Sequence, residues 1–190
     1  MPKIVDHDQR RSQLIDALWR IASRDGLEAV SLGQVAAEAG VSKGLVQHYF
    51  RSKDEMLVHA TTSLRERVER RIVARAESGQ LRAILLAFLP FDQDSRTEML
   101  VANAFFFRAL HDPAMAERFA TGNTGLRQAI SGQITAAQDR GEMAADLDPD
   151  QEATILLALV NGLASSVLMG HHTPESAEAA LNYQLAKLAS

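Results

Sequence analysis

Six helix-start signals, spread along a chain of 190 residues, constrain the fold of this sequence more than any other feature. Three have the spacing of a capping box, in which a Ser and a Glu or Gln three residues later satisfy each other's backbone donors. Three more place a capping Asp or Thr before a proline, which helices tolerate in their first turn. The three boxes start at Ser31, Ser52 and Ser95, and the three prolines are Pro113, Pro149 and Pro174. The sequence therefore predicts a succession of helices.

Apolar residues between these signals recur at intervals of three and four, which is the period of a helix that buries one face. Strand patterns are scarce, because the chain has no long alternation of apolar and polar residues. The sequence predicts an all-α fold of about nine helices. We expect them at residues 8–24, 32–39, 43–50, 53–77, 80–89, 95–111, 113–140 with a break near Gly122 to Gly125, 149–169 and 174–188.

Composition excludes several classes of protein. The chain has no cysteine, so it can form neither a disulfide framework nor a thiolate zinc site. Hydrophobic residues make up 46%, which is too apolar for a disordered chain. No window reaches the roughly 18 apolar residues that a membrane span needs. We expect a soluble cytoplasmic protein with no membrane partner, no cofactor and no metal.

Charge is divided unevenly along the chain, although its net value is only −4. Residues 1–53 carry eight Lys or Arg against six Asp or Glu, whereas residues 81–190 carry seven against thirteen. The acidic charge therefore belongs to the second half. This asymmetry suits a DNA-binding head on a body that DNA repels.

Two short predicted helices, at residues 32–39 and 43–50, are separated by the tight turn Gly40-Val41-Ser42. This layout is typical of a helix-turn-helix, which places its second helix in the major groove of DNA. We expect a three-helix DNA-binding domain at residues 1–53. A ligand-sensing and dimerisation domain at residues 54–190 follows, and the helix 53–77 links the two.

The stretch from Gly26 to Leu57 carries this motif in detail, as G-L-E-A-V-S-L-G-Q-V-A-A-E-A-G-V-S-K-G-L-V-Q-H-Y-F-R-S-K-D-E-M-L. It resembles the DNA-binding domain of the TetR family of repressors. The start, M-P-K with R-R-S-Q-L-I-D-A further on, is also similar to the branch that regulates the choline-to-betaine pathway. The resemblance implies a homodimeric repressor that binds double-stranded operator DNA and is released by a small-molecule effector.

The resemblance also implies which residues contact DNA, and their chemistry fits. Ser42 would cap the recognition helix and, with Lys43, attract a phosphate. Gly44 would permit close approach, and Gln47 can pair with adenine. The predicted DNA-binding residues are Ser31, Ser42, Lys43, Gly44, Leu45, Gln47, His48, Tyr49 and Lys53, with Arg51 as a further candidate. Because many relatives carry Tyr at the position of Gln47, this residue contacts a base or makes no contact, while His48 touches DNA or caps local structure.

An apolar pocket is the usual site for a small molecule, and the second domain supplies apolar candidates for its wall. The candidates, for each of which packing in the core is the alternative role, are Phe88, Met99, Phe106, Ile130, Ile134 and Asn161. Asn161 interrupts a long apolar run, where a buried amide needs a partner. Arg108 would pair with an anionic ligand if it faces inward and with a surface carboxylate otherwise. Choline is disfavoured because its aromatic cage would have to use Tyr183, the one Tyr of this domain, which has no Trp.

The last two predicted helices have apolar stripes that one chain cannot easily cover. Two copies forming a symmetric four-helix bundle would bury them, and two heads could then reach successive major grooves of a palindromic operator. The interface candidates are Gly162, Ser165, Ala177, Ala180, Leu181 and Leu185.

Two other classes of function remain to be weighed. The sequence has no phosphate loop, nucleophile elbow or paired carboxylates, and the neighbours His171 and His172 lack the spacing of a metal site, so we expect no enzyme. A DNA-binding protein of architectural type, without a ligand, would bind all duplexes with similar affinity.

Overall fold

The computed structural model describes residues 3–75 and 79–189, which form nine α-helices and one short 3-10 helix. The helices are α1 (Lys3–Asp25), α2 (Leu32–Glu38), α3 (Lys43–Tyr49), α4 (Lys53–Ala74), α5 (Gln80–Leu86), α6 (Gln93–Ala109), α7 (Pro113–Asp139), α8 (Pro149–Leu168) and α9 (Pro174–Leu188). The 3-10 helix, Leu27–Ala29, lies between α1 and α2. The all-α prediction is confirmed, and residues 76 and 77 of the predicted fourth helix lie outside the described residues.

Of the six helix-start signals, five are confirmed as caps, because each side-chain oxygen accepts a backbone N–H from the first turn of its helix. The five cap residues are Ser31, Ser52, Asp112, Asp148 and Thr173.

The sixth cap, predicted at Ser95, is wrong because α6 begins earlier, at Gln93. Asp92 caps this helix: its carboxylate accepts from the Ser95 N–H at 2.7 Å, and the Ser95 hydroxyl accepts from the Asp92 N–H at 3.0 Å. The bonds from Ser95 lower the pKa of Asp92, and the positive charges of Arg71 and Arg75 add to the effect. Ser95 thus occupies the third position of the first turn.

Two other predicted boundaries need correction. α1 begins at Lys3, so His7 lies inside the helix rather than before it. The break predicted in α7 near Gly122 and Gly125 is absent, because both keep ordinary helical backbone. A helical glycine costs only about 1 kcal/mol relative to alanine, which a helix of 27 residues can absorb.

The chain divides into two compact units. Unit 1 contains the described part of residues 1–67 together with Thr97–His111, and unit 2 contains Val68–Arg96 and the described part of residues 112–190. Both α4 and α6 therefore contribute to both units. The predicted boundary at residue 53 divides the chain differently, since it assigns all of α6 to the second domain.

Unit 1 holds α1, α2 and α3 around a core of fully buried side chains. Its largest members are Leu14, Leu18, Phe50, Met56, Leu57 and Phe105. Arg20 of α1 donates to the Glu38 carboxylate of α2 at 2.7 Å, and this bond lowers the pKa of Glu38. The Lys53 ammonium donates to the Leu27 carbonyl at 3.0 Å, which joins the start of α4 to the 3-10 helix.

Arg67 joins three helices of unit 1. Its Nη2 donates to the Asp16 carboxylate at 2.5 Å, and its guanidinium lies 4.6 Å from the centre of the Trp19 ring. Its Nη1 lies 3.8 Å from the Glu98 carboxylate, which is almost fully buried. Asp16 and Trp19 belong to α1 and Glu98 to α6, so a single cation fixes these helices to α4.

Unit 2 packs α5, α7, α8 and α9 around their buried faces. Ile130 and Ile134 of α7, Leu156 of α8 and Leu181 of α9 are fully buried. Arg82 of α5 donates to side-chain oxygens of Glu178 and Asn182, one turn apart on α9. These bonds fix the orientation of α9 against α5.

Helix α8 is long and apolar enough, by length and composition, to cross a membrane, and it is the one such helix among the residues described. This corrects the expectation that no segment of the chain is apolar enough to span a membrane. A core helix can be equally apolar, and α8 buries Leu156, Val160 and Ala164 inside unit 2. Its opposite face leaves Ile155 and Met169 at least half exposed.

Replacing Arg67 tests its role in unit 1. We expect Arg67→Met to lower the free energy of unfolding by about 1–3 kcal/mol, because it removes a charge-assisted hydrogen bond and a cation–π contact. Urea unfolding can be followed by the fluorescence of Trp19, the single tryptophan of the chain. Arg70→Met, at an exposed position of the same helix, is the control, and equal midpoints for the two variants would contradict the assignment.

Candidate nucleic-acid interface

The turn between α2 and α3 is fixed by its backbone. The Val41 N–H donates to the Ala36 carbonyl at 2.9 Å and the Gly40 N–H to the Ala37 carbonyl at 3.2 Å, which is the Schellman pattern that ends a helix. This pattern needs a residue in the left-handed region, and Gly40 supplies it with φ of 66°. The chain then enters α3 at a defined angle.

Helix α3 has an inner and an outer face. Val46 is fully buried on the inner face, and so is Phe50, which ends the helix. The exposed residues of the outer face are all among those predicted to contact DNA; they are Lys43, Gly44, Gln47 and His48. Leu45 and Tyr49 lie at the edges and are half-buried. The core thus anchors one side of α3 and leaves the other to solvent.

The start of α3 is capped as predicted, since the Ser42 hydroxyl accepts from the Leu45 N–H at 3.2 Å. Gly44 follows in the first turn. A Cβ at this position would approach only the Ser42 hydroxyl, at 4.0 Å, and the backbone is ordinary helix. Among the described residues nothing therefore requires glycine at position 44, although glycine weakens a helix.

Three of the residues predicted to contact DNA also have hydrogen-bond partners inside the protein. The Ser31 hydroxyl accepts from the Gln34 N–H at 3.1 Å, and the Arg51 N–H donates to the Glu55 carboxylate at 2.7 Å. Lys53 is half-buried and donates to the Leu27 carbonyl, so it has a structural role that the sequence did not indicate. An ammonium has three donors, which leaves others available for a phosphate.

A part of α1 that the sequence did not indicate lies beside the recognition helix. The ring of His7 lies 4.5 Å from that of Tyr49 and 6.4 Å from that of His48, measured between ring centres. One turn further along α1, the guanidinium of Arg11 lies 5.7 Å from the Phe50 ring. A predicted helix start near residue 8 had excluded His7, and no motif in the sequence marks it.

The predicted pocket residues do not form one cluster within a unit. Met99 and Phe106 belong to unit 1, where Phe106 is half exposed, and the other four belong to unit 2. Of these four, Ile130 and Ile134 are fully buried, Phe88 is half-buried and Asn161 is exposed on α8. The inference that Asn161 needs a buried partner is therefore wrong, because the helix turns this side chain outward.

Arg108 resolves one of the alternatives left by the sequence. Its guanidinium lies 3.4 Å from the Asp54 carboxylate and 3.7 Å from that of Glu28, all within unit 1. It therefore forms ion pairs with carboxylates of the protein itself.

The predicted interface residues separate into two groups. Ala177 and Leu181 are fully buried in the core of unit 2, so their assignment to an interface is wrong. Gly162 is exposed, and Ser165, Ala180 and Leu185 are half-buried. The apolar stripe predicted on α9 is thus the face that packs inside the protomer.

Comparison with protein families decides the classification. Residues 14–60 match the family of bacterial regulatory proteins described as tetR, and residues 78–190 match the C-terminal domain of BetI-type transcriptional repressors. The chain belongs to the TetR family. This membership confirms the predicted helix-turn-helix DNA-binding domain and makes the protein a transcriptional regulator rather than an enzyme.

Individual TetR relatives are similar over most of their length. The regulator PksA of Bacillus subtilis is 33% identical over 174 residues, which are 89% of this chain and 83% of PksA. BetI of Burkholderia ambifaria is 35% identical over 170 residues, which are 86% of this chain and 84% of BetI. The solved structure of a regulator from Saccharomonospora viridis in complex with choline has a TM-score of 0.86 at 24% identity, covering 96% of this chain and 98% of that one. It has the same TetR fold.

Gly44 gives a test that separates stability from DNA binding. We expect Gly44→Ala to raise the free energy of unfolding by up to about 1 kcal/mol, because alanine favours helix. The same change should weaken operator binding by roughly tenfold or more, because a methyl group intrudes into a close contact.

The control is Gly132→Ala, at an exposed helical position of α7 where a Cβ would meet no described atom within 4 Å. It should stabilise the protein similarly and leave DNA binding unchanged. Undiminished operator affinity of Gly44→Ala in a fluorescence anisotropy titration would show that the glycine has no role at the interface.

Proposed function

We propose that this protein is a cytoplasmic repressor that binds a palindromic operator as a symmetric homodimer and is released by a small-molecule effector. The observation that carries the proposal is the two-faced recognition helix, whose inner side is buried and whose outer side is polar and exposed. A helix of this kind fits the major groove of DNA.

Residues of the outer face of α3 and of its edges have distinct roles in the proposed complex. Gln47 hydrogen-bonds a base edge, adenine being the best match for an amide, and Leu45 contacts a thymine methyl group. Lys43 and Tyr49 contact backbone phosphates, as does Ser31 from the start of α2. The phosphate contacts hold the helix in register, and the base contacts select the sequence.

The proposed dimer uses the outer faces of α8 and α9. Apolar side chains remain exposed there, at 50% for Ile155, 62% for Met169 and 66% for Tyr183. Gly162 lies on the same side of α8 as Ile155 and Met169, and its missing side chain allows close approach of a partner helix. A second copy would cover this face by twofold symmetry. The proposed interface therefore uses the exposed side of α9 and not the face predicted from the sequence, which is buried within the protomer.

We propose an effector other than choline, although one structural relative binds that molecule. Recognition of a quaternary ammonium needs exposed aromatic faces. In unit 2 the ring of Phe91 lies 5.0 Å from the Arg75 guanidinium, and that of Tyr183 lies 4.5 Å from the Lys187 ammonium. Two of the aromatic rings of this unit are thus already engaged by cations of the protein.

Release from DNA follows from thermodynamic linkage. An effector that binds better to a conformation whose heads no longer fit the two half-sites lowers the affinity for DNA by the same factor. The shift would pass through α4, which contributes residues to both units.

The proposal is tested by selecting bound duplexes from a random DNA pool and titrating the selected duplex by anisotropy. We expect a palindrome that binds at least about a thousandfold more tightly than scrambled DNA at physiological salt. Gln47→Ala should relax the preference at one position of each half-site, and saturating choline should leave the complex intact. Equal affinity for all duplexes would contradict the repressor function and favour an architectural DNA-binding protein.

Gly162 tests the proposed dimer. We expect Gly162→Leu to shift the protein from dimer to monomer in sedimentation equilibrium, because a leucine holds the two α8 helices apart. Gly122→Leu is the control, since it adds the same side chain at an exposed position of α7. A dimer that persists in Gly162→Leu with an unchanged dissociation constant would exclude this face of α8 as the interface.

A further inference from the structure

Three aromatic side chains meet at the C-terminal end of the recognition helix. His7 of α1 lies against Tyr49 with a ring-centre distance of 4.5 Å, and His48 lies 5.3 Å from Tyr49 with the rings perpendicular. His7 and His48 are 6.4 Å apart. His7 and His48 are exposed, whereas Tyr49 is half-buried.

The contact with α1 extends over two turns. Arg11, four residues after His7, places its guanidinium 5.7 Å from the ring of Phe50, which ends α3 and is fully buried. This contact anchors α1 beside the end of α3, and His7 continues the same side of α1 outward past the core. The position of His7 is therefore set by the packing of two helices within one unit.

The nitrogens of His7 are available to a partner outside the protein. Among the residues that the structure describes, its side chain has ring contacts but no hydrogen bond and no ion pair. An imidazole carries at least one N–H donor at any pH at which DNA is bound. Anything that approaches Tyr49 and His48 from solvent also meets this donor.

We propose that His7 is a DNA-contacting residue, whose imidazole donates a hydrogen bond to a backbone phosphate next to the phosphate that Tyr49 contacts. The inference rests on the proposed function, since it needs DNA on the outer face of α3. It adds His7 of α1 to the interface.

The position of His7 favours a phosphate over a base. A recognition helix reads base edges mainly with residues of its N-terminal part, and His7 lies at the opposite end, beside the last turn. Contacts at such flanking positions hold the protein in register without reading sequence. His7 should therefore strengthen binding to every duplex by a similar factor.

Three substitutions separate the N–H donor from the packing of the ring. His7→Ala removes both, His7→Phe keeps a ring against Tyr49, and His7→Gln keeps a donor. We expect His7→Ala and His7→Phe each to weaken binding about threefold to tenfold, equally for the selected operator and for scrambled duplex, the effect of one hydrogen bond. His7→Gln should lose less. His171→Ala, at an exposed histidine between α8 and α9, is the matched control and should bind like the unchanged protein.

A second measurement identifies the DNA group. Operator duplexes in which single phosphates are replaced by uncharged methylphosphonates are titrated with the unchanged protein and with His7→Ala. We expect one flanking position in each half-site at which the replacement weakens the unchanged protein but has no further effect on His7→Ala. If every replacement weakens both proteins equally, the phosphate contact does not exist.

The outcomes distinguish the inference from the proposed function. Wild-type affinity of His7→Ala, or of His7→Phe, for a duplex that the protein otherwise selects would overturn the role of His7 and leave the repressor function intact. Failure of the unchanged protein to bind any duplex would overturn both.

Discussion

A helix of seven residues cannot persist in water by itself, because the cost of ordering its first turn exceeds what so few hydrogen bonds return. The recognition helix α3 has this length, and its outer face is left to solvent. Its conformation therefore depends on burial of Val46 and Phe50 by the rest of unit 1. The Schellman turn at Gly40, the cap at Ser42 and the bond from Lys53 to the 3-10 helix all hold α3 in place. Most of unit 1 therefore serves to hold the outer face of α3 in position.

The position of α3 also depends on Arg67, which lies outside the helices α1, α2 and α3. It brings α1 and α4 together with the part of α6 that belongs to unit 1. Arg108 adds ion pairs from α6 to Asp54 and to Glu28 of the 3-10 helix. The DNA-binding unit thus includes a segment that is distant in sequence from the helix-turn-helix. Sequence patterning indicated α4 as the link between the halves of the chain, and it gave no sign that α6 is a second one.

Local signals were predictable from the sequence wherever the physical cause is local. A cap oxygen and the N–H that it binds are two or three residues apart, so five caps and the face of α3 could be predicted from spacing. The predicted cap at Ser95 was wrong because Asp92, three residues earlier, is a competing cap of the same kind. The predictions that Asn161 is buried and that Leu181 lies in the interface were wrong for another reason. The sequence of an apolar helix shows which residues can be buried but not which neighbour buries them. The contact between His7 and Tyr49 spans two helices, and a single sequence contains no record of it.

The exposed side of α8 also affects how the newly synthesised chain is treated by chaperones and proteases. Before the proposed pairing, each copy carries a helix that is long and apolar enough, by length and composition, to cross a membrane, with Ile155 and Met169 exposed. Exposed surfaces of this kind attract chaperones, proteases and other unfolded chains. On the proposed assembly, pairing of chains while they are still close to the ribosomes that made them would protect the protein from quality control.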